Sequence, residues 1–207
     1  LTRKGRYTNY TIPLSITCYT SIMLKLKRRF ISTADYHKMI EAGVLHEDER
    51  IELIEGELIQ LSPIGSKHAG IVMKLLHLLI PLAGNGFLVN GQNPVVLEDG
   101  SEPEPDILLL KPRDDYYVNA HPTPEDVLLL IEVADSTLDY DTLVKAPLYA
   151  RTRIREYWLL DIQQRLIKVH QEASTEGYRS IVNVEQGSLL LPNQEEVDVA
   201  EVLEHLA

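Results

Sequence analysis

Cysteine is almost absent from this chain, which carries Cys18 and no other. One thiol makes neither an intrachain disulfide nor a cysteine cluster for zinc, so the composition suits a reducing compartment and points to the cytosol. Long hydrophobic runs are missing as well. Leu75 to Leu82 is broken by His77 and Pro81 and falls far short of the roughly 20 residues a membrane span requires, so no transmembrane helix is expected. Basic charge is scarce: 20 Lys and Arg stand against 31 Asp and Glu, a net charge of -11. That is the opposite of the balance on which phosphate binding normally rests. The chain has no Gly-x-Ser-x-Gly elbow, no Walker loop and no Rossmann glycine fingerprint, and its seven histidines show no His-Glu-x-x-His spacing. Serine-hydrolase, P-loop, dinucleotide and zincin chemistries are therefore without support.

What is present is ordinary for a soluble globular protein: 207 residues, 44% hydrophobic and 25% charged, enough for one well-buried core. The charge is unevenly placed. Residues 1–30 hold seven basic residues (Arg3, Lys4, Arg6, Lys25, Lys27, Arg28, Arg29) and no acid, leaving 13 basic against 31 acidic residues downstream, a body of net -18. This lead segment has no clear helical or strand period, and the first methionine is Met23. It reads as translated sequence upstream of a start at Met23, as a poorly ordered basic arm, or as a targeting peptide, and is left out of the fold argument.

From Ser32 a pattern emerges. Thr33 to Gly43 has a capping residue, apolar Tyr36, Met39 and Ile40 and a terminal glycine, which predicts a short helix packed on a sheet. Ile51 to Leu61 places two strand-like runs around Glu55-Gly56, a tight hairpin. Apolar residues at 71, 72, 75, 76, 78, 79 and 82 make Lys67 to Leu82 a long helix. Strands are expected at Phe87–Asn90, Pro94–Glu98, Asp106–Lys111 and Val127–Val133; the last two are almost uniformly apolar and read as central strands buried on both faces. Pro112 to Asp126 reads as a mobile loop, Asp139 to Thr152 as a second helix, and Glu156–Ile162 with Leu166–Gln171 as a strand pair. The order predicts one α/β domain over residues 31–207, a central mixed β-sheet flanked by helices.

The acids on the central strands point to chemistry. Asp106 opens one strand, and Glu132 lies among Leu128, Leu129, Leu130, Ile131 and Val133, where a carboxylate needs a partner. If the strands are neighbours, the two acids face each other. At 4 Å and an effective dielectric near 20 their repulsion is about 4 kcal/mol, which a divalent cation would remove. Mg²⁺ (or Mn²⁺) suits a pair of carboxylates completed by waters, and those waters can serve phosphodiester cleavage. Lys145, on the helix after Glu132's strand with Asp141, Leu148 and Tyr149 at helical spacing, can present an ammonium to the sheet end and stabilise charge electrostatically.

Pro105-Asp106, Leu130-Ile-Glu-Val133, Lys145 with Tyr149, and Glu156-Tyr-Trp-Leu-Leu-Asp161 together resemble the signature of the Uma2 family (DUF820), within the PD-(D/E)XK nuclease superfamily. Glu52-Leu-Ile-Glu-Gly-Glu-Leu58 and His68 after Ser62-Pro63 are similar to its N-terminal elements. The resemblance covers residues 30–190 and implies a restriction-endonuclease-like core, metal-dependent endonucleolytic cleavage of DNA, and Asp106, Glu132 and Lys145 as the catalytic site, with Asp106 and Glu132 on the metal. One departure stands out. The superfamily's lysine follows the glutamate by two residues, where this chain has Ala134, and the resemblance implies that the lysine has moved to the next helix as Lys145.

The remaining candidates divide as follows. Glu52, Glu55 and Glu57 read as decoration on the exposed face of the hairpin, with Glu57 a candidate further acid. His68 at a helix start is a candidate cap, phosphate contact or general base. Arg151, Arg153 and Arg155, near Lys145, form a basic cluster that could steer phosphate, although the acidic body predicts weak, salt-sensitive binding to nonspecific DNA and leaves room for a homodimer or a basic partner. The alternatives are a catalytically inactive nuclease-fold binding or assembly module, and a hydrolase of another phosphate ester.

Overall fold

The structure is a computed structural model that describes residues 29–46 and 49–204. Residues 1–28, and with them nearly all of the basic lead segment, lie outside the described residues. From Ile31 onward the chain forms one compact unit.

The unit is built on a six-stranded mixed sheet in the order β3-β4-β5-β6-β7-β8, with β3 Leu88–Gly91, β4 Ile107–Leu110, β5 Val127–Ala134, β6 Tyr157–Asp161, β7 Leu166–Ser174 and β8 Gly177–Val184. All neighbours run antiparallel except β5 and β6. The parallel pair needs a crossover, supplied by α3 (Leu138–Tyr140), a π-helical turn (Asp141–Lys145) and α4 (Ala146–Arg151), which follow one another without a break. The four residues of β4 are buried on both faces, as their unbroken apolar run demands, and each such side chain contributes about 1.5–3 kcal/mol.

Alternation along the strands sorts the core into two layers. On one face Ile107, Leu109, Leu129, Ile131, Trp158 and Leu160 pack under α2 (Ser66–Ala83) and α5 (Val199–Leu203). On the other, Leu108, Leu130, Tyr157 and Leu159 pack under Leu148 and Tyr149 of α4. Tyr157 and Trp158 are thus core aromatics on opposite faces.

Outside the sheet, α1 (Thr33–Glu41) is capped by Ser32, whose hydroxyl accepts from the Asp35 N–H. The hairpin of β1 (Ile51–Ile54) and β2 (Glu57–Gln60) turns at Glu55 and Gly56, both at positive φ. The sequence places α1 on the sheet, but the Tyr36 hydroxyl donates to Ile51 O and the Thr33 hydroxyl to Gly100 O, so α1 docks on the hairpin and the neighbouring turn. A two-stranded ribbon of β9 (Ser188–Leu190) and β10 (Glu196–Asp198) leads into α5.

One further expectation is corrected. Pro94–Glu98 joins no ladder: its N–H groups go to loop carbonyls, Val95 to Pro103, Val96 to Pro122 and Leu97 to Ser101, while Val95 and Leu97 are buried. The segment Pro112–Asp126 is a loop, as expected, and carries local bonds: Arg113 pairs in bidentate fashion with Asp115 and lies over the ring of Tyr117, whose hydroxyl donates to Lys111 O. Among the described residues no helix is long and apolar enough to cross a membrane.

Candidate active site

The register of β4 against β5 pairs Ile107 with Ile131, which sets Asp106 beside Glu132 where the two central strands meet the loop before β4. Both point to the face covered by α4, the parity of Leu108 and Leu130. Both are buried, and the backbone links them: the Asp106 N–H donates to Glu132 Oε2 at 3.3 Å, and the Val133 N–H donates to Asp106 Oδ2 at 2.9 Å. The facing geometry expected from two adjacent strands is present.

The helical crossover delivers the cation. Pro147 has no N–H, and the turn before it widens, with the Ala146 N–H reaching back five residues to Asp141 O. Lys145 ends this π turn and Tyr149 follows four residues later, so both side chains reach Glu132: Lys145 Nζ donates to its Oε1 at 2.9 Å and the Tyr149 hydroxyl at 2.7 Å. Lys145 is itself buried, held from the other side by Glu52 Oε1, also at 2.9 Å. Asp141 lies one helical turn before it, buried, with Oδ2 accepting from the Thr137 hydroxyl.

His68 joins the site from the first turn of α2, its Nε2 standing 3.0 Å from Asp106 Oδ2. Glu57 lies on the exposed surface of β2, not among the buried acids. Glu52 departs from its sequence pattern. The hairpin reading puts it on an exposed face, yet it has no exposed surface. The segment of residues 102–104 lies along the free edge of β1, where Leu53 bridges to Glu102 and the Glu104 N–H donates to Glu52 Oε1. The available signal is its position between Ile51 and Leu53-Ile54, a run of strand residues with no polar alternation.

The basic cluster does not assemble as expected. Lys145 is interior, Arg151 is tied to Glu55 at 2.6 Å and Asp99 at 3.4 Å, and Arg153 is exposed beside Glu98 at 3.4 Å. Glu55 of the hairpin and Glu98 and Asp99 of the loop after β3 take up the arginines that neighbour them in space.

Four buried carboxylates thus cluster here: Glu52, Glu132 and Asp141 act on the Lys145 ammonium, and Asp106 lies against Glu132. Burial pushes the Glu132 carboxyl up to about 8, reinforced by Asp106, Asp141 and Glu52 and opposed by Lys145. Burial also raises Asp141, against Lys145 and the Thr137 hydroxyl. Lys145 stays charged: burial disfavours the ammonium, but Glu132, Glu52 and Asp141 outweigh it and hold its pKa well above the usual value. The site carries more acid than one lysine neutralises, and a divalent cation would relieve that excess.

Among the described residues no group of three or more His, Cys, Asp or Glu side chains is placed to hold a metal ion. A pair of carboxylates whose remaining positions are filled by water is the pattern of Mg²⁺. Asp106 and Glu132 supply such a pair, and the Glu52 Oε2 nearby is buried without a hydrogen-bond partner.

The fold is thus a central mixed sheet flanked by helices, with a buried acid pair on its central strands and a lysine from the crossover against one of them. A family model described as "Putative restriction endonuclease", Uma2, matches residues 33–203, and the chain belongs to that family. Among solved structures, one described as "a putative nuclease belonging to DUF820" from Anabaena variabilis shares the fold with a TM-score of 0.63 at 16% identity, over 86% of this chain and 99% of that one. No curated protein matches the chain significantly. Family membership places the protein among nuclease-like hydrolases.

Proposed function

We propose that the protein is a Mg²⁺- or Mn²⁺-dependent endonuclease that hydrolyses DNA phosphodiester bonds, with Asp106 and Glu132 holding the metal and Lys145 stabilising charge at the attacked phosphate. The observation that carries this reading is the pair of buried acids joined through the Asp106 N–H, with the Lys145 ammonium on one of them. A bound divalent ion supplies Lewis-acid stabilisation of phosphate oxygens and a water acidic enough to yield a nucleophile near neutral pH. The chain's own groups do the rest. The Val133 N–H and His68 orient Asp106, while Lys145 and Tyr149 orient Glu132 and leave Oε2 turned toward Asp106. The ammonium places positive charge beside the acids, where charge develops as the phosphodiester is attacked. Cysteine scarcity supports action in the cytosol, and a homodimer would suit cutting of both strands.

The test is thermal unfolding of the wild type and Asp106→Asn, each with and without Mn²⁺, together with nicking of supercoiled plasmid. Asparagine keeps the shape and the acceptor for the Val133 N–H. The expected result is a Mn²⁺-dependent rise in Tm and nicking in the wild type, both lost in the variant. Equal nicking by the variant would remove Asp106 from the chemistry. Absence of both metal response and nicking in the wild type would favour the nuclease-fold binding module.

A further inference from the structure

Glu52 comes from a hairpin outside the six-stranded sheet, yet its carboxylate meets the same ammonium as Glu132. Its Oε1 accepts from Lys145 Nζ and from the Glu104 N–H, each at 2.9 Å, while its Oε2 is buried without a hydrogen-bond partner. Burying a carboxylate costs several kcal/mol of effective desolvation unless a cation compensates. For Glu52 the ion-pair partner among the described residues is Lys145.

One ammonium is therefore shared by two acids at equal distance, 2.9 Å to each. A charge-assisted bond from Lys145 to Glu132 competes with any other cation for that carboxylate's negative charge. Whatever draws the ammonium toward Glu52 relaxes its hold on Glu132. Glu52 is well fitted to do so, because the Glu104 N–H fixes its Oε1 and its burial strengthens the attraction.

We propose that Glu52 is a positioning residue of the site, a reading that rests on the metal-dependent one above: by sharing the Lys145 ammonium, it keeps Glu132 available to the metal. Glu52 acts through Lys145 and touches neither metal nor substrate. Its role resembles that of outer partners at metal centres, whose loss typically weakens metal affinity about 10- to 100-fold.

The experiment is calorimetric titration of Mn²⁺ into the full chain for the wild type, Glu52→Gln, Lys145→Met and the double variant, with circular dichroism as the check on folding. Glutamine at 52 keeps the volume and the acceptor for the Glu104 N–H. The expected result is a Kd about 10- to 100-fold weaker for Glu52→Gln at unchanged circular dichroism. In the Lys145→Met background the same change should alter Kd less than about threefold, because the residue through which Glu52 acts is gone. A wild-type Kd in Glu52→Gln overturns the proposal, and so does an equal loss in both backgrounds, which would mean that Glu52 acts on the metal directly.

Should Lys145→Met not fold, Glu52→Asp decides. It keeps the charge but is one methylene shorter, so weakened binding is expected, and a wild-type Kd overturns the proposal. A merely structural role would lower Tm and leave Kd unmoved. A wild type that takes up no Mn²⁺ brings down the metal reading and this inference together; a wild type that binds while Glu52→Gln binds equally brings down the inference alone.

Discussion

At the scale of single residues, the partners of Glu132 differ in what their loss exposes. Lys145→Ala leaves the Glu52 and Glu132 carboxylates facing each other without their cation, whereas Tyr149→Phe removes one donor and leaves Glu132 Oε1 still bonded to the ammonium. Breaking a buried ion pair from one side costs about 3–5 kcal/mol, and losing one hydrogen bond to a charged group about 1.5–3 kcal/mol. Urea unfolding at neutral pH should therefore rank Lys145→Ala clearly below Tyr149→Phe, and equal losses would mean that the ammonium is dispensable to the fold. Asp106 and Glu132 are legible because an acid in an apolar strand stands out. For Glu52 that signal is fainter, since its hairpin is polar at Glu55 and Glu57 and its partners, Lys145 and the Glu104 N–H, come from distant segments.

At the scale of elements, strongly patterned segments form where the pattern says: the hairpin, the long helix (Ser66–Ala83 against an expected Lys67–Leu82), the two central strands, and the helical crossover. The π turn within that crossover leaves no sign beyond Pro147, and it brings Lys145 into line with Tyr149. The strand β7 carries a buried polar group away from these acids. His170 stacks on Tyr157 with ring centroids 4.9 Å apart and donates from Nδ1 to Lys168 O. Burial pushes its imidazole below the usual 6.5, against two backbone carbonyls that favour the charged ring. A histidine lowered in the folded state binds fewer protons there than in the unfolded chain, so its contribution to stability is lost as the pH falls through and below 6.5. His170→Phe, which keeps the stack, is expected to lose less stability than the wild type between about pH 7.5 and 5.5 in urea unfolding. A slope like that of the wild type would mean that the ring titrates freely in the folded state.

At the scale of the whole molecule, charge sets the problem of binding a polyanion. The body from residue 31 is net -18, and most of the cations near the site are already engaged: Arg151 by Glu55 and Asp99, Arg153 by Glu98 and Lys145 by Glu52 and Glu132. About a third of the chain's Lys and Arg fall in the first 30 residues, so nonspecific attraction to DNA should depend on them. Changing Arg3, Lys4, Arg6, Lys25, Lys27 and Arg28 to alanine is expected to weaken binding of a labelled duplex and make the slope of log K against log salt shallower, by about 0.9 for each phosphate no longer neutralised. Fluorescence anisotropy reads it, and an unchanged slope would assign phosphate binding to the body.

Sequence by itself determined the class of fold, the two central strands and the acids upon them, because burial on both faces leaves a local mark: an unbroken apolar run with a carboxylate that does not belong in it. It also determined the family, through motifs in order along nearly the whole domain. Tertiary structure alone decided who meets whom across long stretches of chain: Glu52 with Lys145, His68 with Asp106, and Arg151 with Glu55 and Asp99. Such pairings follow from docking the hairpin, the long helix and the crossover onto one end of a sheet, and side chains brought together in that way carry no mutual spacing for a sequence to display.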